Sequence, residues 1–212
     1  MSESSISRSE RILELVTVGV LAFGALATAW SGYQASLWDG IQSSNYTQAS
    51  GSRTNAAQQR TEAFQFRLAD LGIFQQYMDA VLSEDEVIAS FYLERFRDEF
   101  RPAYEAWIAL DPLNNPEAPS SPLGMPEYQL APDAEAERLE ARADELFEAG
   151  EEANTVSDTY TLTTLLFAAV LFFAAISERF EYPRAQKILL VIAGIGLVAG
   201  IAVAASQPVT TG

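Results

Sequence analysis

Three long apolar stretches, residues 12–32, 160–177 and 188–205, constrain the fold of this chain more than any other feature. They contain no Lys, Arg or Asp, and their only Glu is Glu14, near one end of the first stretch. Because a helix rises about 1.5 Å per residue, each is long enough to cross the ~30 Å hydrocarbon core of a bilayer. An Ala-x-Ala sequence at 25–27 also resembles a signal-peptide cleavage site, but the first apolar run is longer than a usual signal core. The sequence therefore predicts an integral membrane protein with three transmembrane helices.

The segment between the first two apolar stretches, residues 33–157, is strongly acidic. It contains 23 Asp and Glu residues but only 8 Arg residues, and so carries nearly all of the net charge of −16. This charge repels phosphate, so we expect no nucleic-acid partner. It keeps the segment soluble and can attract cations or basic partners. The chain also has no Cys and no His, and therefore lacks the usual general base and the commonest metal ligands. We expect neither an enzyme nor a bound cofactor or metal.

The basic residues near the apolar stretches predict the orientation. Arg8 and Arg11 precede the first stretch, and Arg179, Arg184 and Lys187 lie between the second and third. Short basic segments stay in the cytoplasm. The predicted order in the plasma membrane is a cytoplasmic N-terminus (1–11), a transmembrane helix (12–32), an acidic extracytoplasmic domain (33–157), a second transmembrane helix (158–177), a cytoplasmic loop (178–187), a third transmembrane helix (188–205) and an extracytoplasmic tail (206–212).

Aromatic side chains mark the predicted membrane boundaries. Trp30, Tyr33 and Trp38 lie at the outer boundary, and Phe180 and Tyr182 lie at the inner one. Such rings commonly anchor a helix at the level of the lipid headgroups.

The outer group forms a short motif, in which Trp30 is followed by Tyr33, Gln34, Ala35 and Trp38. This Trp-x-x-Tyr-Gln-Ala-x-x-Trp segment resembles one in a family of small prokaryotic membrane proteins of unknown function. Members of that family have one N-terminal span, a polar helical middle and two C-terminal spans. The resemblance implies the same topology for this chain, and it implies no activity.

The first helix is expected to continue beyond the membrane. No proline precedes Pro102, so a helix beginning near Arg8 could run to Leu82, although a break near Gly51 is the alternative. Apolar residues with one polar member recur at spacings of four and three, as expected for a coiled-coil seam. They are Phe64, Leu68, Leu71, Gln75, Met78 and Leu82.

The rest of the acidic segment also predicts helices. Ser83 is the expected N-cap of a helix over residues 84–110, with Glu86 at its third position. A loop with six prolines follows at 111–132. A further helix should begin at Asp133 and continue into the second span. The predicted fold class is an all-α membrane protein, with three transmembrane helices and a long helical, partly coiled-coil extracytoplasmic domain.

Two predicted spans carry small residues at four-residue spacing. Such faces let helices approach closely, and here they predict helix packing and self-association. The residues are Gly24, Thr28 and Gly32 in the first span, and Gly196, Gly200 and Ala204 in the third.

A face of the first helix just beyond its span is small or amide-bearing. Its polar members are Gln42, Asn45, Ser52 and Gln59. Two interpretations remain open. The face either lines a wet axis surrounded by copies of the chain, or it packs closely against another helix in a dimer or within one chain.

These patterns favour a non-enzymatic membrane protein that forms a homo-oligomeric assembly or scaffold through its spans and its helical exterior. One alternative is a cation-preferring channel lined by the polar face of the first helix. Another is an accessory subunit of a larger membrane complex. The expected partners are the lipid bilayer and further copies of the chain, and the sequence does not identify any other protein partner.

Overall fold

The structure, a computed structural model, describes residues 8–180 and 182–211, with side chains from residue 11 onwards. Within these residues it is all-helical and contains no strand. The elements are α1 (Arg8–Leu82), α2 (Glu86–Leu93), α3 (Arg101–Ile108), a 3₁₀-helix (Pro122–Gly124), α4 (Ala131–Ser177) and α5 (Pro183–Ser206).

Helices α1, α4 and α5 each contain a segment that is long and apolar enough to cross a membrane, in agreement with the three predicted spans. Parts of the predicted topology lie outside the described residues. These are residues 1–7 of the N-terminus, residue 181 of the loop between the second and third spans, and residue 212 of the tail.

Helix α1 runs without interruption from Arg8 to Leu82, so Gly51 does not end it. A glycine inside a helix costs about 1 kcal/mol relative to alanine. Ala49 and Ala56, on either side of Gly51, are almost fully buried. Contacts at these neighbouring positions stabilise the helix where its intrinsic propensity is weak.

The turn after α1 differs from the predicted one. Glu84 adopts a φ of 56°, and the N–H of Asp85 donates to the carbonyl of Ala80 at 3.0 Å, which closes the end of α1. Asp85 is the N-cap of α2, because its side chain accepts from the N–H of Ile88 at 3.0 Å. Ser83, the predicted N-cap, belongs instead to the end of α1.

The single helix predicted over residues 84–110 is two shorter helices, α2 and α3. Pro102 lies in the first turn of α3 and has no N–H to donate back to residue 98, so a continuous helix would lose a hydrogen bond there. Phe96 and Phe100, in the segment between the two helices, are both part of the core.

The described residues divide into two compact units. The first comprises Met1–Thr47 and Leu146–Gly212, and contains the N-terminal part of α1, the C-terminal part of α4, and α5. The hydroxyl of Ser157 on α4 donates to the carbonyl of Ala35 on α1 at 3.0 Å. The core of this unit includes Val170, Ala174 and Ala193.

The second unit, Gln48–Glu145, contains the rest of α1, the start of α4, and the elements between them. Alanines seven residues apart are buried on both long helices, which allows close packing at a period of 3.5 residues. They are Ala49, Ala56 and Ala63 on α1, and Ala136 and Ala143 on α4. Three ion pairs join the same two helices: Arg53–Asp144 at 3.2 Å, Arg60–Glu140 at 2.6 Å and Arg67–Asp133 at 2.5 Å.

An aromatic core fills the other part of the second unit. The Tyr77 and Tyr104 hydroxyls are 2.6 Å apart, and Trp107 Nε1 donates to the carbonyl of Pro119 at 2.6 Å. These bonds satisfy the polar atoms of rings that are otherwise buried. The core residues are Phe74, Tyr77, Phe96, Phe100, Tyr104 and Trp107.

Candidate functional site

A buried glutamine on α1 holds the segment that follows α5. Gln34 is fully buried, and its amide makes two hydrogen bonds with the backbone of Thr210. Nε2 donates to the Thr210 carbonyl at 2.9 Å, and Oε1 accepts from the Thr210 N–H at 3.1 Å. A side-chain amide offers a donor and an acceptor side by side, so it can pair with both backbone groups of one residue. The pairing fixes the tail on α1.

Two further side chains bind the tail closer to the end of α5. Trp38 Nε1 and the Tyr160 hydroxyl both donate to the carbonyl of Pro208, each at 3.2 Å. Because proline has no N–H, this carbonyl is its only backbone group that can form a hydrogen bond. We call Gln34, Trp38 and Tyr160 the tail clasp. Two of its three members belong to the Trp-x-x-Tyr-Gln-Ala-x-x-Trp motif.

Replacing Gln34 with alanine is expected to loosen the tail at Thr210, because both hydrogen bonds from Gln34 to Thr210 are lost. The Thr210 amide should exchange with deuterium at least ~10-fold faster. Hydrogen exchange of the full chain in detergent measures this rate. Ser36→Ala, at an exposed position on the same helix, is the control and should leave the rate unchanged. Equal exchange in the two variants would show that the clasp does not hold the tail.

The small residues predicted on α5 lie against α4 of the same chain. A Cβ built on Gly196 would be 2.8 Å from Val170 Cγ2, and one built on Gly200 would overlap the Phe167 ring. Ala204 is half-buried. Gly196 and Gly200 therefore permit α5 to approach α4 of the same chain closely. This contact covers the face of α5 on which the two glycines lie.

The small residues predicted on α1 behave differently from one another. A Cβ on Gly24 would be 2.9 Å from Leu171 Cδ2 on α4, so Gly24 also lies at a helix contact. Thr28 donates its hydroxyl to the carbonyl of Gly24 at 2.7 Å. A Cβ on Gly32 would have no atom within 4 Å, so close packing does not require glycine there.

The predicted polar face of α1 follows the side of the helix on which alanines are buried. All four of its residues, Gln42, Asn45, Ser52 and Gln59, are half-buried. In the second unit, Ser52 and Gln59 alternate along α1 with the buried alanines. Ion pairs join this part of α1 to α4. This placement favours the interpretation of the face as a contact within one chain.

The predicted interface aromatics lie within α1, near the end of the predicted first span, and in the segment between α4 and α5. Trp30 and Tyr33 are about half exposed, with ring centroids 6.3 Å apart. Phe180 and Tyr182 are exposed between α4 and α5. The Trp38 side chain is bonded to the backbone, through the tail clasp.

The first unit also contains a groove that was not predicted from the sequence. The groove has a volume of about 240 Å³ and lies between α1, α4, α5 and the tail. Ser31 lines it, and the Ser31 hydroxyl is buried without a hydrogen-bond partner among the described residues.

In the second unit, three large apolar residues of the predicted coiled-coil seam remain exposed, whereas Met78 of the same seam packs against the aromatic core. Phe64, Leu68 and Leu82 are 57%, 52% and 69% exposed. We call the six predicted residues, Phe64, Leu68, Leu71, Gln75, Met78 and Leu82, the 64–82 stripe. Helix α1 instead buries the neighbouring residues Asp70, Phe74 and Tyr77.

Asp70 is the centre of a buried polar cluster. Its side chain is 1% exposed, and its Oδ2 accepts from Arg97 at 3.1 Å and from the Tyr128 hydroxyl at 2.8 Å. The Arg97 guanidinium also pairs with Glu99 at 3.0 Å and lies 3.9 Å from the centroid of the Phe66 ring. The cluster fixes the segment between α2 and α3, and the loop before α4, onto α1.

The electrostatics of this cluster follow from burial. Loss of hydration raises the pKa of Asp70 above its ordinary value, whereas the hydrogen bond from Tyr128 and the charge of Arg97 oppose that rise. Burial and the bond to Asp70 also raise the pKa of Tyr128. Tyr128 and Arg97 therefore both favour the ionised form of the buried carboxylate.

The tail clasp and the Asp70 cluster were not predicted from the sequence, because each joins residues that are far apart in the chain. Gln34 and Thr210 are 176 positions apart, and Asp70 and Tyr128 are 58 apart. One pattern in the sequence could have predicted the buried face, because Asp70 and Tyr77 continue the seven-residue spacing of the buried alanines on α1.

Comparison of the chain with protein-family models, with curated proteins and with solved structures finds no match.

Proposed function

We propose that this chain is a non-enzymatic integral membrane protein that assembles with copies of itself through the 64–82 stripe. The observation that carries the proposal is the exposure of large apolar side chains at coiled-coil spacing on one face of α1. A soluble surface rarely keeps an ordered apolar stripe, and such patches usually mark an interaction site. The four-three spacing is the one that a second helix fits.

The charge around the stripe suits a second copy of an acidic chain. Charged residues are sparse in 61–82, and two of the four are neutralised by partners: Arg67 pairs with Asp133, and Asp70 pairs with Arg97. The other two are Glu62 and Asp79. Two such faces would meet with little repulsion although the whole chain carries a net charge of −16.

Anchoring in one membrane supports a parallel pairing. Copies inserted with the same orientation present α1 running in the same direction, so each stripe residue would meet its own counterpart. Gln75 would then lie against Gln75, and a polar pair at one seam position specifies register. The stripe rises only about 27 Å, which is short for a coiled coil in solution. Confinement to one membrane raises the effective concentration of the stripes, so that a shorter coiled coil is enough for pairing.

The small residues of the spans supply less of this assembly than the sequence predicted. Gly24, Gly196 and Gly200 are already in contact with α4 of the same chain. We therefore assign association to the second unit and assign packing within the chain to the spans.

The proposed orientation has a cytoplasmic N-terminus and an extracytoplasmic acidic domain in the plasma membrane. The positive-inside rule applied to the two basic clusters supports it. The bonds from Gln34 and Trp38 to the tail support the count of three spans, because three spans put the end of the first and the end of the third on the same side of the membrane.

Leu68→Asp is expected to weaken assembly at least ~10-fold, because it removes a leucine from the seam and adds a charge to it. Light scattering of the full chain in detergent, across a range of concentrations, measures the assembled mass. Leu113→Asp is the control, since Leu113 is 64% exposed and lies outside the stripe.

The mass measurement also separates the alternatives. A wild-type chain that remains monomeric at all concentrations would contradict self-assembly and favour an accessory subunit that needs another protein. Equal assembly of the two variants would place the interface elsewhere on the chain.

A further inference from the structure

The groove in the first unit is small and mainly apolar. Ala27, Trp30 and Ser31 of α1 line it, together with Phe167 of α4 and Ile201 and Ala205 of α5. Binding sites for whole small molecules usually occupy about 300–1,000 Å³. A volume of about 240 Å³ is better matched by part of one flexible hydrocarbon chain.

One polar group in the groove has no partner. Ser31 is fully buried and is one of the residues that line the groove, and its Oγ makes no hydrogen bond within the described residues. Serine hydroxyls inside helices commonly donate to the carbonyl four residues earlier, as the nearby threonine Thr28 does. A buried hydroxyl without a partner is unfavourable by about 1–3 kcal/mol. The groove therefore offers one hydrogen-bond donor on an otherwise apolar surface.

Water alone is a poor match for this site. A buried water requires two to four polar partners, and most of the residues that line the groove are apolar. A ligand that fits must bring one acceptor oxygen and bury hydrocarbon beside it.

The position of the groove indicates the source of such a ligand. Trp30 lies near the end of the predicted first span, at the level where the glycerol linkages of lipids begin, and Ala27 lies one turn deeper. We propose that the groove binds one hydrocarbon chain of a bilayer glycerolipid, and that a glycerol-linkage oxygen of the lipid accepts a hydrogen bond from Ser31.

The tail clasp takes part in forming this site. Val209 lies in the wall of the groove, and the two residues beside it, Pro208 and Thr210, are the ones that the clasp binds. By fixing the backbone on both sides of Val209, the clasp maintains the wall. The proposal does not depend on self-assembly, because every residue involved belongs to the first unit of one chain.

Native mass spectrometry of the full chain tests the proposal, with phosphatidylglycerol added to the detergent-solubilised protein as the probe. The wild type is expected to retain one lipid per chain. Ala205→Phe fills the groove and should reduce retention at least ~10-fold, a loss equivalent to about 1.4 kcal/mol. Ala202→Phe is the matched control, because Ala202 is exposed on the same helix but does not line the groove.

A second pair of variants tests the hydrogen bond. Ser31→Ala should weaken retention about 5-fold, as expected for the loss of one hydrogen bond, whereas Ser36→Ala should not. Circular dichroism checks that every variant keeps its helix content. Equal retention by Ala205→Phe and Ala202→Phe, or by Ser31→Ala and Ser36→Ala, would overturn the proposal.

Discussion

Arg97→Ala is expected to lower the free energy of unfolding of the second unit by about 3 kcal/mol. Within the described residues, the substitution leaves the Asp70 carboxylate, 1% exposed, with the Tyr128 hydroxyl as its one remaining partner. Removing one member of a buried ion pair is much more costly than removing an exposed one. Hydrogen exchange of the α2 and α3 amides in the full chain measures the change where the cluster acts.

Arg60→Ala is the control for this prediction. Arg60 pairs with Glu140 at 2.6 Å, but both side chains are substantially exposed, so its loss should cost no more than about 1 kcal/mol. An equal effect of the two substitutions would mean that burial of Asp70 does not govern the stability of this region.

The loss of unfolding free energy in Arg97→Ala should also depend on pH. Burial already raises the pKa of Asp70 in the folded chain, and loss of the cation raises it further. A carboxyl group whose folded pKa lies above its unfolded pKa stabilises the fold at low pH and loses that contribution as pH rises through the folded value. The deficit relative to wild type should therefore be smaller in acid than at neutral pH. A deficit that grows as the pH falls would contradict the assignment to Asp70.

Gly200→Ile is expected to destabilise the first unit by about 3 kcal/mol. Even the first carbon of the new side chain would overlap the Phe167 ring, and Phe167 is itself 1% exposed, so it has little room to move. Overpacking of this kind displaces helices that are in close contact. The thermal midpoint of the full chain in detergent measures the loss.

Gly194→Ile serves as the matched control, because a Cβ at Gly194 has no atom within 4 Å. It should change the midpoint little. If Gly200→Ile instead left the midpoint unchanged and reduced the assembled mass, α5 would mediate association between copies, as the small-residue spacing in the sequence predicted.

The sequence by itself determined which segments are helical and which are apolar enough to span a membrane. Uncharged runs of at least 18 residues leave few alternatives to a helix, since every backbone group in a bilayer must be paired within its own segment. The absence of proline before Pro102 made an uninterrupted α1 one of two predictions, and the structure excludes the other, a break near Gly51. The break between α2 and α3 was missed, although Pro102 marks the point where the second of them begins.

Only the tertiary structure decided which face of each helix is buried and by what. The 64–82 stripe and the buried positions Asp70 and Tyr77 lie on adjacent faces of α1 with the same seven-residue repeat. The apolar spacing predicted the stripe as a coiled-coil seam, and it did not identify the second face as the buried one. The chain buries the other face because aromatic residues of α2, α3 and the segment between them pack there, and because Arg97 and Tyr128 satisfy Asp70. Such partners come from distant positions, and a helical period specifies the spacing of a face without specifying what will cover it.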